Sequence, residues 1–217
     1  MKPDPDMAAA GPSPRGRVIL IDDDADVLDA FRQLIELEGY VCEAYGSASA
    51  YLDATGWGGS QPAQPVCLLC DVKMPEMDGL QLQAKLRQQG ELPVILMSGA
   101  SSASDAASGF RSGAIDFLVK PIEADQLLAA LEVAMAVSRQ QTAKSRRQAE
   151  LKALLGSLSE REFEVAWLVA RGLTGVGIAL ALGISPRTVK FHRQRVFEKL
   201  GISGTPELVR LLEAYEG

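Results

Sequence analysis

Several short stretches of reactive or polar residues fall at or near the ends of predicted strands, in an alternating strand and helix pattern. They are Asp22-Asp23, Asp71, Ser98, Phe117 and Lys120-Pro121. In an open parallel sheet, the carboxyl ends of the strands converge on one crevice, where such folds place their chemistry. Three carboxylates, a hydroxyl and an ammonium group match what a divalent metal ion and a phosphoryl group require. The spacing therefore predicts a phosphoryl-acceptor aspartate.

Each polar residue has a predicted part in that chemistry. Asp71 ends the most apolar strand, which would hold its carboxylate rigidly at the rim of the crevice. Asp22 and Asp23 end a neighbouring strand and could hold Mg²⁺ against Asp71. Lys120 can neutralise phosphoryl charge, and the Ser98 hydroxyl can donate a hydrogen bond to a phosphoryl oxygen.

Strands and helices must alternate five times to position these residues. The predicted strands are Val18–Ile21, Val41–Tyr45, Val66–Cys70, Val94–Met97 and Phe117–Val119. The predicted helices are 26–38, 47–54, 79–88, 102–111 and 123–137. This pattern predicts a doubly wound α/β domain, (βα)5, with a five-stranded parallel sheet.

The chain changes character after residue 137. Residues 138–148 are polar and contain no Gly or Pro, so they either continue the fifth helix or form a flexible tether. From Leu158 the apolar spacing is helical throughout and predicts four short helices. Ser159 and Glu162 form a predicted capping box, and Ser185-Pro186 predicts the start of a later helix. The predicted organisation is a disordered tail (1–16), an α/β domain (17–137), a linker (138–156) and an all-α domain (157–217).

The charge is distributed unequally between these parts. Residues 17–137 carry 18 acidic and 7 basic side chains, a balance of −11. Residues 138–217 carry 8 acidic and 13 basic side chains, a balance of +5. The second part is therefore the one suited to a polyanion such as DNA.

Other features exclude several classes of protein. The three cysteines indicate no disulfide framework, and Cys67 and Cys70 lie in a predicted buried strand, where they would point to opposite faces. No apolar run is long enough to cross a bilayer, and the first residues lack the layout of a signal peptide, so we expect a cytoplasmic protein with no membrane partner. His192 is the only histidine, which argues against a zinc site and a histidine-kinase role.

The acidic motifs resemble the receiver domain of two-component response regulators. The resemblance covers about residues 17–137 and rests on four segments: Ile21–Asp24, Cys70–Gly79, Met97–Gly99 and Asp116–Pro121. It implies that Asp71 accepts a phosphoryl group from a cognate sensor histidine kinase. It also implies Mg²⁺ ligands, namely Asp22, Asp23, Asp71 and the backbone carbonyl of Lys73. Ser98 and Phe117 would form the switch pair, and the Lys120–Pro121 bond would be cis. Ala100 is less typical, because it offers no polar group near the phosphoryl site.

A basic stretch in the second domain has the properties of a recognition helix. In residues 185–200, five basic residues accompany one acidic residue. Val189, Val196, Phe197 and Leu200 supply an apolar face, and Gly183-Ile184 separates a shorter preceding helix. This layout is typical of a helix-turn-helix, whose basic and amide side chains can read guanine and adenine in the major groove.

The second domain resembles the LuxR-type DNA-binding domain, so the whole chain is similar to a NarL/FixJ-type transcription factor. The segments that carry the resemblance are 158–162, 170–174, 178–179, 182–185, 188–192 and 199–202. It implies that Lys190, Phe191 and Gln194 face bases. Candidates for phosphate contacts are Arg187, Thr188, His192, Arg193 and Arg195. Residues 205–215 align with the helix that pairs two such domains. One departure is Thr174–Gly177, where two glycines weaken a helix start and a phosphate-contacting Lys is missing.

These observations predict a DNA-binding transcriptional regulator controlled by phosphorylation. Its expected partners are DNA, a sensor histidine kinase, RNA polymerase and a second copy after phosphorylation. We expect no enzymatic activity beyond phosphoryl acceptance and self-dephosphorylation at Asp71. Two alternatives stay open: a phosphatase of the aspartyl-phosphate type, and a protein-interaction regulator whose helical domain no longer binds DNA. The phosphatase is disfavoured because its D-x-D nucleophile motif would lie on the first strand.

Overall fold

The computed structural model describes residues 14–56, 64–88, 90, 92–99, 109 and 111–216. The chain divides into two compact units at the boundary between Thr142 and Ala143. The first unit contains five strands: β1 (Arg17–Ile21), β2 (Val41–Tyr45), β3 (Val66–Asp71), β4 (Val94–Ser98) and β5 (Asp116–Val119). They form one sheet in the order β2-β1-β3-β4-β5, and every pairing is parallel. The predicted α/β fold is therefore confirmed.

Helices cover both faces of this sheet. They are α1 (Ala25–Leu37), α2 (Ala48–Thr55), α3 (Gly79–Arg87) and α4 (Ala124–Gly156). One apolar core lies between the sheet, α1 and α4, and the other between the sheet, α2 and α3. Cys67 belongs to the first core and Cys70 to the second, as their spacing predicts. Burial raises the pKa of the Cys67 thiol to about 12. The two cysteines of this C-x-x-C sequence therefore act as apolar core residues and do not form a redox centre.

Side-chain caps fix where three of these helices begin. The Asp24 carboxylate accepts hydrogen bonds from the amides of Asp26 and Val27 and starts α1. Ser47 caps α2 in the same way, and Asp78 forms a capping box with Gln81 at the start of α3. The first turn of α1 follows β1 closely, and the first turn of α3 returns to the end of β3, where the Gly79 amide donates to the Val72 carbonyl at 3.0 Å.

The long helix α4 extends through the polar stretch that the sequence left open between helix and tether. Ser138, on its buried side, accepts a hydrogen bond from the Val66 amide at 2.8 Å and so ties α4 to the start of β3. The helix predicted over 102–111 and the atypical Ala100 lie outside the described residues, apart from Gly109 and Arg111, which are helical. Of the predicted tail, the structure describes only residues 14–16, where the Arg15 amide donates to the Gly39 carbonyl.

The second unit is helical, as predicted. After the end of α4 it contains α5 (Glu160–Ala170), α6 (Gly175–Leu182), α7 (Pro186–Leu200) and α8 (Thr205–Glu216). Leu155, Val165, Ile178, Val196 and Leu208 belong to its single apolar core. Gly183 takes the left-handed conformation, with φ of 65°, in the turn between α6 and α7, where any other residue would be strained. The predicted capping box of Ser159 and Glu162 is present.

Within the described residues, no helix is both long enough and apolar enough to span a membrane.

Candidate functional site

Lys120 joins two carboxylates at the carboxyl edge of the sheet. Its ammonium nitrogen lies 2.5 Å from Asp22 Oδ2 and 3.0 Å from Asp71 Oδ1. Asp22 directly follows β1, Asp71 ends β3, and Lys120 directly follows β5. The three residues therefore come from three strands, and the fold brings them together as the sequence predicts.

The remaining carboxylate oxygens are held by backbone amides. Asp71 Oδ2 accepts from the Lys73 amide at 2.8 Å, and Asp22 Oδ1 accepts from the Asp24 amide at 3.0 Å. Gly79 packs directly behind the acceptor strand: a Cβ atom at this position would lie 2.3 Å from the Asp71 carbonyl oxygen. Only glycine allows α3 to start this close to Asp71, and this role was not predicted from the sequence.

Burial and charge have opposing effects on the pocket. Asp22 is fully buried, and Asp71 is 5% exposed. Burial raises the pKa of Asp71, and the hydrogen bond from Lys120 offsets only part of that rise. Burial also lowers the pKa of Lys120, but its hydrogen bonds to Asp22 and Asp71 outweigh this effect and leave the pKa raised. The site is a small polar cluster in which the ammonium group compensates for desolvated carboxylates.

The other predicted pocket residues lie around this cluster. Ser98 ends β4 and is fully buried, and its carbonyl accepts from the Lys120 amide at 2.8 Å. Phe117 lies in β5 opposite Leu96 and is partly buried against the α2–α3 core. Asp23 and Lys73 are exposed. The Lys120–Pro121 peptide bond is cis, as the resemblance implied.

The pocket suits a hard divalent cation in its chemistry. Asp22 and Asp71 offer buried carboxylate oxygens at one edge, which are the ligands that Mg²⁺ prefers. Among the described residues, no group of three His, Cys, Asp or Glu side chains is already gathered as metal ligands. Any bound ion would therefore share Asp22 and Asp71 with the Lys120 ammonium group.

Helix α7 presents the predicted basic surface of the second unit. Val189, Val196 and Leu200 are buried on its inner side. The exposed residues include Arg187, Lys190, Phe191, Arg193, Gln194 and Arg195, whereas Thr188 and His192 are half-buried. The predicted DNA-contacting residues therefore lie on α7, with most of them open to solvent.

Several of these side chains already have contacts within the unit. Arg193 donates to Thr205 Oγ1 at 3.1 Å and lies over the Phe197 ring. Gln194 Nε2 donates to Glu198 Oε1 at 2.9 Å. The parts played by Thr205 and Glu198 were not predicted, although the spacing of four residues from Gln194 to Glu198 on a helix could have indicated the second contact.

The glycine-containing segment Thr174–Gly177 begins helix α6 despite its low helix propensity. Thr174 caps it by accepting from the Gly177 amide at 3.2 Å. Ile178 and Ala179 are buried in the core of the unit. The two glycines therefore do not prevent the helix-turn-helix from forming.

Known proteins resemble the chain over both units. The family model of the response regulator receiver domain matches residues 18–132, and that of bacterial regulatory proteins of the luxR family matches residues 156–212. Response regulator protein TodT of Pseudomonas putida is 38% identical over 203 residues, which cover 93% of this chain and 87% of TodT.

Two further relatives agree with this assignment. The transcriptional regulatory protein FixJ of Azorhizobium caulinodans is 35% identical over 195 residues, which cover 89% of this chain and 90% of FixJ. The solved structure of response regulator StyR has a TM-score of 0.78 at 32% identity and covers 92% of this chain and 100% of that structure. The chain is therefore a transcriptional regulator that belongs to the response regulators of two-component systems with a receiver domain and a LuxR-type DNA-binding domain.

Proposed function

We propose that Asp71 accepts a phosphoryl group from a cognate sensor histidine kinase and that this modification controls DNA binding by the second unit. The observation that carries the proposal is the contact of Lys120 with both Asp22 and Asp71. In the transfer, an Asp71 carboxylate oxygen attacks phosphorus, the phosphorus–nitrogen bond to the kinase histidine breaks, and the imidazole is released. Beyond this step and self-dephosphorylation, the proposal includes no enzymatic activity.

The pocket residues divide the work of stabilising the phosphoryl group. Lys120 already contacts Asp71 and would place its ammonium group against the added negative charge. The Ser98 hydroxyl would donate a hydrogen bond to a phosphoryl oxygen. Phe117, the second residue of the switch pair, would then turn inward. We assign Mg²⁺ to Asp22, Asp23, Asp71 and the Lys73 carbonyl, where it would neutralise charge on the phosphoryl oxygens.

Helix α7 would deliver the output. The proposed base contacts are Lys190, Phe191 and Gln194, and the proposed phosphate contacts are Arg187, Thr188, His192, Arg193 and Arg195. Phosphorylation would favour a homodimer that places two α7 helices on neighbouring half-sites. The exposed Tyr215 near the end of α8 supports an association surface on that helix. RNA polymerase would be the downstream partner, in the cytoplasm.

The proposed roles of the two domains agree with their opposite net charges. Residues 17–137 would act as receiver, 138–156 as linker and 157–217 as DNA-binding domain. The acidic first part would hold the signal, and the basic second part would meet the DNA polyanion.

Phosphoryl acceptance can be tested by mass spectrometry of the full chain after incubation with Mg²⁺ and a small acyl phosphate. We expect one phosphoryl adduct, located on Asp71 and absent from Asp71→Asn. Chelation of Mg²⁺ should prevent its formation. An equal adduct in Asp71→Asn would refute the assignment of Asp71 as the acceptor.

A further inference from the structure

Glu198 fixes the orientation of the Gln194 side chain on the exposed side of α7. Gln194 Nε2 donates to Glu198 Oε1 at 2.9 Å. A carboxylate can only accept hydrogen bonds, so the amide nitrogen must face Glu198 and the amide oxygen must point away from it. Gln194 therefore presents an acceptor oxygen and its second N–H group outward.

Phe191 lies one helical turn before Gln194 on the same side of α7. It is 57% exposed, which is unusual for a phenylalanine in a small unit whose core takes the other large apolar residues of α7. The Arg195 guanidinium lies 5.8 Å from the ring centroid, and the His192 ring makes an edge contact at 5.6 Å. These neighbours hold the ring in place and leave much of it open.

Two arginines that could otherwise read guanine beside this pair are engaged within the unit. Arg193 donates to Thr205 and covers Phe197. Arg195 lies against the Phe191 ring. The side chains of Phe191 and Gln194 themselves offer an aromatic ring and an amide, while Arg187 and Lys190 lie exposed one turn before them on the same helix.

The surface formed by Phe191 and Gln194 is complementary to the edge that an A·T base pair presents in the major groove. Adenine shows an N7 acceptor and an N6 donor there, and thymine shows a methyl group, whereas guanine shows two acceptors. An amide with an outward oxygen and an outward N–H group matches adenine, and an exposed aromatic ring matches the thymine methyl group.

Resting on the proposed DNA-binding function, the geometry points to Phe191 and Gln194 as a pair that selects A·T base pairs, with Glu198 as the positioning residue for Gln194. Phe191 packs on a thymine methyl group. Gln194 bonds the N6 and N7 positions of adenine. Glu198 sets the selectivity without touching DNA, because it excludes the flipped amide that would place both N–H donors of Gln194 toward guanine.

Selection of bound duplexes by the beryllofluoride-treated full chain, from a random pool, tests this pair. We expect the selected site to contain an A·T pair at which 7-deazaadenine and uracil each weaken binding about tenfold. Phe191→Ala should bind thymine and uracil sites equally, and Gln194→Ala should bind adenine and 7-deazaadenine sites equally. Both side chains are exposed, so we expect circular dichroism to show that the variants fold.

Glu198→Gln tests the positioning role, because the new amide accepts and donates equally well. We expect its preference for A over G at this pair to fall about tenfold. The matched control Glu160→Gln removes the same charge from the start of α5 and should keep the preference. A selected site that tolerates both base analogues would overturn the inference while leaving DNA binding intact. A pool with no selected sequence would instead reject the proposed DNA-binding function, and the inference with it.

Discussion

Lys120 is the residue on which the charge balance of the receiver pocket depends. Its ammonium group contacts both Asp22 and Asp71, and its side chain is only 23% exposed. Two carboxylates buried this close together repel each other unless a cation lies between them. The contact on which the proposed phosphoryl transfer rests therefore also stabilises the folded pocket.

Lys120→Met removes the ammonium group but keeps an apolar side chain of similar length. We expect the free energy of unfolding to fall by about 1–3 kcal/mol at pH 7, because two buried carboxylates lose their charged partner. The pKa of Asp71, already raised by burial, should rise further in the variant, so its folded state gains protons as the pH falls. The deficit should therefore shrink toward pH 4, as measured by urea denaturation. The same deficit at both pH values would show that Lys120 acts through packing.

Among the elements, the Glu162–Lys199 ion pair joins three parts of the second unit. Lys199, near the end of α7, lies 2.6 Å from Glu162 Oε2 in the first turn of α5 and 3.1 Å from the Ser157 carbonyl just after α4. Glu162 is 6% exposed and also accepts from the Ser159 amide. The recognition helix is thus connected to the segment that leads out of α4.

The hydrogen bonds from Lys199 and from the Ser159 amide lower the pKa of Glu162 to about 2. A lowered pKa in the folded state stabilises the fold above the ordinary value of 4.5, and this stabilisation is lost as the pH falls toward 2. We expect Glu162→Gln to lower the free energy of unfolding by about 1–3 kcal/mol at pH 7. The difference between wild type and variant should nearly vanish at pH 2.

Urea denaturation of both proteins across this pH range provides the measurement. Glu160→Gln serves as the control, since Glu160 is exposed in the same helix turn and its loss should cost less than about 1 kcal/mol. A difference between wild type and Glu162→Gln that does not depend on pH would contradict the role of the ion pair.

Local patterns predicted the elements better than the contacts between them. Val18–Ile21 is a continuous apolar run, so its strand was predicted to within one residue of the observed β1. Residues 138–148 have neutral helix propensity, so the sequence could not decide between helix and tether. Glu162 and Lys199 lie 37 positions apart in the sequence, and local sequence patterns do not predict a contact over such a separation. The capping box at Ser159 needs only four neighbouring residues and was predicted correctly.

For the whole molecule, the two units have opposite charge and separate cores. The first unit carries acidic residues at the carboxyl edge of its sheet, and the second carries basic residues on the exposed side of α7. Helix α4 contains residues of both units, and Ser138 on this helix is bonded to the strand that ends in Asp71. A covalent change at Asp71 is therefore expected to act on an element that continues into the second unit.

DNA affinity of the full chain, measured by titration with and without beryllofluoride in the presence of Mg²⁺, tests this central claim most directly. Beryllofluoride mimics the phosphoryl group on Asp71, so we expect the affinity of the wild type to rise about tenfold, a coupling typical of allosteric sites. Asp71→Asn should bind DNA with the same affinity under both conditions. A wild type that does not respond to beryllofluoride, or an equal response in Asp71→Asn, would contradict control of DNA binding through Asp71.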